Sequence, residues 1–271
     1  MLAPASISTI EGDPIGPTDP EYIEMMRFES GLADRVVSAT DGPHDEPWLN
    51  HLDATQPHTQ PAIEFALTHP EIATRISGRV IDLAAGICWL AARLSRVDRV
   101  AGIAAVHLSR RFLSTVGERM IQRFDGDSAK ITFAVSSFTR VPFPSTDFDC
   151  AFLVAAIRHS LTPIKTLMEA HRLLRPGGCL IVVESPNAVM GLEATRARGV
   201  RLSRETGVPE LCYTRREYAY MLRQAGFDQV DAYPVDTVIR GAGRRALRGA
   251  LRRFGIEDLI RPPTYIFVGT R

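Results

Sequence analysis

The clearest chemical signal lies in one stretch, Arg79–Arg93, RVIDLAAGICWLAAR. Val80, Ile81 and Leu83 spell a short apolar strand. Ala84–Cys88 is a run of small residues, and Trp89–Leu94 resumes apolar residues at helical spacing. Strand, tight turn and helix in that order open a nucleotide-binding α/β unit, in which backbone N–H groups face the ligand. Asp82 and Gly86 are the acid and the glycine of the turn, with Ala84 and Cys88 two residues to either side of the glycine. A second group, His44, His51 and His58 with Asp45, Glu46 and Asp53, has the residue types of a metal site. Its seven-residue intervals lack the tight spacing that places two ligands on one helix face, so solvated loop residues are the preferred reading. Cys88, Cys150, Cys179 and Cys212 form no CxxC pair, and neither a zinc site nor a disulfide framework is expected.

The elements that would position the turn follow from hydrophobic periodicity and its breaks. Residues 1–20 hold four prolines and read as a flexible arm. Residues 21–39 show helical spacing, 40–61 are rich in Pro, Asp and His, and a helix is expected from about Ala62 to Leu67. Further strands are expected at Val97–Val106, Lys130–Val135 and Cys150–Ala155. A helix over Pro163–Leu174 leads into a strand ending at Glu184; Pro176 stops the helix, and Gly177-Gly178 supply the reversal. Ser185–Cys212 reads as an insertion, helical around Leu192–Arg204. Thr214 with Glu217 three residues on is a capping box, Gly226 ends that helix, and the last two strands are Gln229–Val235 and Thr264–Gly269. Between them Arg240, Arg244, Arg245, Arg248, Arg252 and Arg253, with Leu247, Leu251 and Phe254, mark an amphipathic basic helix. Strands alternating with helices imply a mostly parallel sheet with its ligand crevice at the strands' carboxyl ends.

From about residue 60 onward these pieces resemble the class I S-adenosylmethionine (SAM)-dependent methyltransferases, in particular the small-molecule type 11 branch. The family's turn reads [DE]-x-G-x-G-x-G. Here it reads Asp82-Leu83-Ala84-Ala85-Gly86-Ile87-Cys88, so Ala84 and Cys88 replace the first and third glycines. The family's second strand ends in Asp or Glu followed by x-S-x-x-x-L. Ser109, Phe112 and Leu113 match, and His107 takes the acidic position. Where the family has G-D-x-x-x-L-P-F-P, the chain has Ser136-Ser137-Phe138-Thr139-Arg140-Val141-Pro142-Phe143-Pro144. Asp147-Phe148-Asp149 and Pro176-Gly177-Gly178 are further landmarks in the right order.

The resemblance implies a doubly wound, seven-stranded, mostly parallel α/β sheet (the Rossmann-like class I fold) with an antiparallel last strand. It divides the chain into an arm and N-terminal lid (1–61) and a methyltransferase-like domain (62–271), the latter with a lid insertion (185–212) and a basic helical insertion (236–263). It places a SAM site at Asp82, Ala84, Gly86, Cys88, His107, Ser137 and Phe138. In the family an acid at position 107 accepts from both ribose hydroxyls, and an acid at 137 holds the adenine amino group. A charged hydrogen bond contributes about 1.5–3 kcal/mol, so losing the acid at 107 weakens SAM roughly tenfold to a thousandfold. The β-carbons of Ala84 and Cys88 would also narrow the approach, at a cost if the turn needs positive φ. For an active enzyme the general base would be His159, with Glu184 and His51 weaker candidates.

With 271 residues, 45% of them apolar, the chain can bury a full core, and a net charge of +1 makes no case for nucleic acid or a membrane surface. No apolar run reaches membrane-spanning length and the N-terminus lacks a signal-like pattern, so a cytoplasmic protein is expected. Because the substitutions fall together on one ligand while the scaffold landmarks persist, the preferred reading is a non-catalytic methyltransferase homologue. It would support a partner enzyme, an active methyltransferase being the first candidate, with the Arg240–Arg253 helix and the N-terminal arm as contact surfaces. The alternatives are an active SAM-dependent methyltransferase of a small molecule and a methyltransferase fold turned to a non-methylating reaction. SAM is the cofactor if the chain is active and is dispensed with otherwise. A homo-oligomer is the other partner arrangement considered.

Overall fold

The computed structural model describes residues 7–12, 59–185, 193–206, 209–235, 250–251 and 264–271. Among them the strands are β1 (Ser8–Glu11), β2 (Gly78–Leu83), β3 (Val100–His107), β4 (Ile131–Val135), β5 (Phe148–Val154), β6 (Leu174–Glu184), β7 (Gln229–Val235) and β8 (Thr264–Thr270). They form one sheet in the order β1-β4-β3-β2-β5-β6-β8-β7. The pairs from β1 across to β6 are parallel, and β8 is antiparallel to both its neighbours. The order reverses at β2, between β3 and β5. That switch point is where the loops leaving neighbouring strands diverge and open a crevice.

Alternation along the strands divides the core. On one face, Val80, Ile103, Ala105 and Phe133 pack under α1 (Gln60–Thr68), α2 (Pro70–Ala73) and α3 (Trp89–Ser95). The same face is covered by a continuous helical run made of α4 (Arg110–Phe112), a π-helical segment (Leu113–Gly117) and α5 (Glu118–Arg123). On the other face Ile81, Leu83, Ala104 and Val106 pack with α6 (Pro163–Leu173) and α8 (Arg215–Gln224). The insertion contributes α7 (Glu193–Thr206). The helix before β6 ends at Leu173, ahead of Pro176, and Gly177 takes φ 79° inside a long bent strand. The Thr214–Glu217 capping box is present in both directions.

The strand count departs from the seven expected. The eighth strand, β1, comes from the stretch read as a flexible arm. Ile7-Ser8-Thr9-Ile10 is a short β-branched run, and Ile7 packs against the first-face core. Pairing with β4 satisfies an edge whose N–H and C=O groups would otherwise be unpaired. Gly12 then crosses so close to Ser136 that a β-carbon there would lie 2.7 Å from Ser136 Oγ, while its N–H donates to the Val135 carbonyl at 2.8 Å. The expected helix in 21–39, the histidines at 44, 51 and 58, the remainder of the N-terminal lid and all but two residues of the basic insertion lie outside the described residues. No helix among the described residues is long and apolar enough to cross a membrane.

A bulky residue at position 12 cannot occupy this crossing. Gly12→Val is therefore expected to strip hydrogen-exchange protection from the Ser8–Glu11 amides while the β4 amides that pair with β3 keep theirs. Amide exchange read by mass spectrometry checks it.

Candidate functional site

The turn between β2 and α3 adopts left-handed backbone at three alternate residues, Ala84 (φ 68°), Gly86 (φ 51°) and Cys88 (φ 61°). For a residue with a β-carbon that conformation costs on the order of 1 kcal/mol or more. The surroundings over-determine it. Ala85 N–H donates to the Val106 carbonyl at 2.8 Å, Cys88 N–H to the Ala85 carbonyl at 2.8 Å, and Cys88's own carbonyl starts α3 by accepting from Ala92 N–H at 3.0 Å. The Cys88 side chain is fully buried in the helix-side core. It fits because Gly117 of the π-helical segment has no side chain: a β-carbon on Gly117 would lie 3.0 Å from Cys88 Sγ. The thiol therefore turns into the core and not across the crevice. Ala84 is half-buried and packs against the second-face core.

Asp82 sits one residue before the end of β2, 1% exposed, and its Oδ2 has no hydrogen-bond partner among the described residues. Burial pushes its carboxyl up to about 7. The same desolvation, with the Asp82 charge nearby, pushes the Cys88 thiol well up. A carboxylate kept off its hydrogen-bond donors in this way is close to half protonated at neutral pH.

His107 ends β3, nearly buried and stacked on Phe112 at a centroid distance of 4.9 Å. Its Nδ1 accepts the Ser109 N–H at 3.1 Å, which leaves the ring proton of the neutral form on Nε2. Burial lowers its pKa to about 4, so the ring is neutral at pH 7. The neutral ring at 107 thus has an engaged acceptor at Nδ1 and a donor at Nε2, where a carboxylate would have two acceptor oxygens. Ser109 caps α4 by accepting from Phe112 N–H at 3.0 Å. At the end of β4, the Ser137 hydroxyl is 3.0 Å from Thr139 Oγ1 and accepts the Thr139 N–H at 3.2 Å. Ser136 Oγ donates to the Arg140 carbonyl at 2.6 Å, and half-buried Phe138 packs on the second-face core. Sequence reasoning missed Glu11 at this end of the sheet; it forms an ion pair with Arg110 at the start of α4. Its only signal was the β-branched alternation just before it.

Beyond β5, His159 Nδ1 lies 2.7 Å from the Pro209 carbonyl, which can only accept, so Nδ1 donates and Nε2 is the basic nitrogen of the neutral ring. Leu211 N–H donates to the Arg158 carbonyl at 2.8 Å. Glu184 is buried, accepts the Ile157 N–H at 3.0 Å, and forms an ion pair with Arg158 at 3.5 Å. His159 and the Arg158 carbonyl thus fasten residues 209–211, and Glu184 anchors the 157–158 turn to the end of β6. Asp82, Ala84, Gly86, Cys88, His107, Ser137 and Phe138 meet at the carboxyl ends of β2, β3 and β4, with His159 on the neighbouring strand's exit. His51 lies outside the described residues.

Residues 81–182 match a family model described as a methyltransferase domain. Over those residues the chain is similar to the methyltransferase-domain family. The ubiquinone/menaquinone biosynthesis C-methyltransferase UbiE of Pseudomonas putida is 30% identical over 111 residues, 41% of this chain and 43% of that protein. The chain therefore matches less than half the length of this curated relative. Two solved structures share the fold of the methyltransferase domain. One is a putative methyltransferase in complex with the Trm112 methyltransferase activator of Haloferax volcanii (TM-score 0.60, 17% identity, covering 83% of this chain and 95% of that one). The other is the 1,6-didemethyltoxoflavin-N1-methyltransferase of Burkholderia thailandensis, with 1,6-didemethyltoxoflavin and S-adenosylhomocysteine bound (TM-score 0.56, 18% identity, covering 96% and 93%).

Measured against SAM, the domain fits in its backbone and not in its side chains. The left-handed turn is in place and Cys88 leaves it open. At the two positions where the resemblance implies acidic acceptors, His107 Nδ1 takes the Ser109 N–H, and the Ser137 hydroxyl takes the Thr139 N–H and pairs with Thr139 Oγ1.

The two perturbed groups at the crevice act in opposite directions on stability. An Asp in the unfolded chain ionises near 3.9, whereas folded Asp82 holds its proton to about 7. The folded state then binds more protons, and Asp82 lowers stability as pH rises from about 4 to about 7, by up to about 4 kcal/mol. His107 stays neutral to about 4 when folded, against about 6.5 unfolded, so it lowers stability as pH falls through that window. Asp82→Asn removes the first effect alone. Its stability gain over wild type is expected to grow from near zero at pH 4 to a plateau above pH 7, measured by urea unfolding across that range.

Proposed function

We propose that the chain is a non-catalytic methyltransferase-fold subunit that supports a partner enzyme, an active methyltransferase being the first candidate, and that it resides in the cytoplasm. The observation that carries the reading is His107: a buried neutral imidazole with its proton on Nε2 stands at the position from which a methyltransferase holds the ribose. The engaged Ser137 hydroxyl adds to it. That a neighbour of this fold assembles with an activator protein supports the partner role by analogy of fold. Four free thiols suit a reducing compartment.

A second reading, an active SAM-dependent methyltransferase of a small molecule, is favoured by one specific feature: the glycine-type turn persists at Ala84, Gly86 and Cys88 despite two β-carbons. In that case His159 Nε2 would serve as the base at the exit of β5.

Gly86→Ala separates the two. A β-carbon there meets only the Ala84 carbonyl oxygen, at 4.0 Å, but at φ 51° it strains the turn, so the change acts on the turn and leaves the core alone. In the chain purified with its partner, methyl transfer from labelled SAM is expected to survive Gly86→Ala. Loss of transfer by tenfold or more would make this chain the catalyst. Restoring both acids, His107→Asp with Ser137→Asp, is expected to tighten S-adenosylhomocysteine binding at least tenfold, read by equilibrium dialysis.

A further inference from the structure

At the opposite end of the sheet from the crevice, two of the four thiols face each other. Cys150 on β5 and Cys179 on β6 are directly paired residues of adjacent parallel strands. Their sulfurs are 3.6 Å apart. Neighbouring strands lie about 4.8 Å apart, inside the roughly 4.4–6.8 Å window of Cα separations that a disulfide spans. Closing the sulfurs to about 2.05 Å is within the reach of side-chain rotation with the strands in place.

The pair is also reachable from one side. Cys179 lines a cavity of about 290 Å³ whose other walls include Arg75, Ser77, Asp149, Arg175 and Gly177. Cys150 sits behind it, fully buried. The outer sulfur lies 3.6 Å from the Arg75 carbonyl oxygen. One cavity wall is cationic: Arg75 and Arg175 bring guanidinium groups, Arg175 paired with Asp149 at 2.8 Å.

We propose that Cys150 and Cys179 form a redox site, in which Cys179 is the thiol attacked first by a hydroperoxide entering the cavity and Cys150 the resolving thiol. The Cys179 thiolate attacks one peroxide oxygen, the O–O bond breaks, and the leaving oxygen takes a proton, giving a sulfenic acid and water (an alcohol for an organic peroxide). The Cys150 sulfur then attacks Cys179 Sγ, the S–O bond breaks, and the hydroxyl leaves with the Cys150 proton as water. Two thiols and one peroxide become one disulfide and two waters, with two electrons passed to the peroxide. The electrostatics support this order. The Cys150 contact and the Arg75 charge lower the Cys179 thiol, whereas burial pushes Cys150 well up. The site is independent of the function proposed above, since Cys150 lies about four residues, roughly 13 Å, from the crevice end of β5.

The test uses the full, reduced chain treated with hydrogen peroxide, then unfolded, alkylated and digested for peptide mass spectrometry. The expected result is a single species joining the Cys150 and Cys179 peptides, reversed by dithiothreitol, with Cys88 still alkylated. Recovery of both Cys150 and Cys179 as alkylated free thiols would overturn the proposal, as would Cys179 sulfinic acid with Cys150 left free. In Cys150→Ala, the sulfenic acid has no resolving partner, and dimedone is expected to label Cys179. Absence of that label in the folded variant would remove the assignment of Cys179 as the first thiol attacked.

Discussion

The ligand end of the sheet depends on one contact, between the Cys88 side chain and the bare backbone of Gly117. The turn after β2 must run left-handed at residues 84, 86 and 88 to bring the chain from the strand into α3, and only the middle residue does so without cost. At Cys88 a side chain has to go somewhere. The helical run over the first face opens into a π-helical turn at Leu113–Gly117, and its glycine leaves the space the thiol fills. Widened turns of this kind often adjust a helix to a local demand. Here the demand is to seat the side chain of a residue held in left-handed backbone.

That reconciles two features that pull in different directions. The turn's left-handed backbone path is held by hydrogen bonds from Ala85 and Cys88. Its side chains differ from those the resemblance implies for a SAM site. A buried neutral imidazole replaces paired acceptors, and a hydroxyl already spoken for replaces a carboxylate. Asp82 remains, yet with an oxygen unpartnered among the described residues and a carboxyl pushed up to about 7. A carboxyl whose ionisation burial opposes raises the energy of the folded state above pH 4. Its retention puts shape ahead of stability in this corner of the domain.

Much of the frame was legible from patterning. The β-alternation at Val80–Leu83 and Cys150–Val154, the capping box at Thr214 and the glycine at 177 each have a local cause that survives in the fold. The two β-carbons in the turn and the histidine at 107 were legible as anomalies. Their resolution was not, because it rests on distant residues: Gly117 lies 29 positions from Cys88 in sequence, and the tautomer of His107 depends on a backbone N–H in a non-helical cap. β1 lies in a stretch whose four prolines predict a flexible arm; the edge of β4, which it covers, is a tertiary feature. The tethering of His159 to Pro209 is likewise long-range, across 50 positions.

The central claim is that the crevice has kept its shape and lost its adenosyl recognition. Calorimetric titration of the unmodified chain with S-adenosylhomocysteine tests it most directly. The account predicts no saturable heat up to millimolar ligand. Binding at micromolar concentration would contradict it, and would mean that a His107 donor and a turn with two β-carbons suffice for the cofactor.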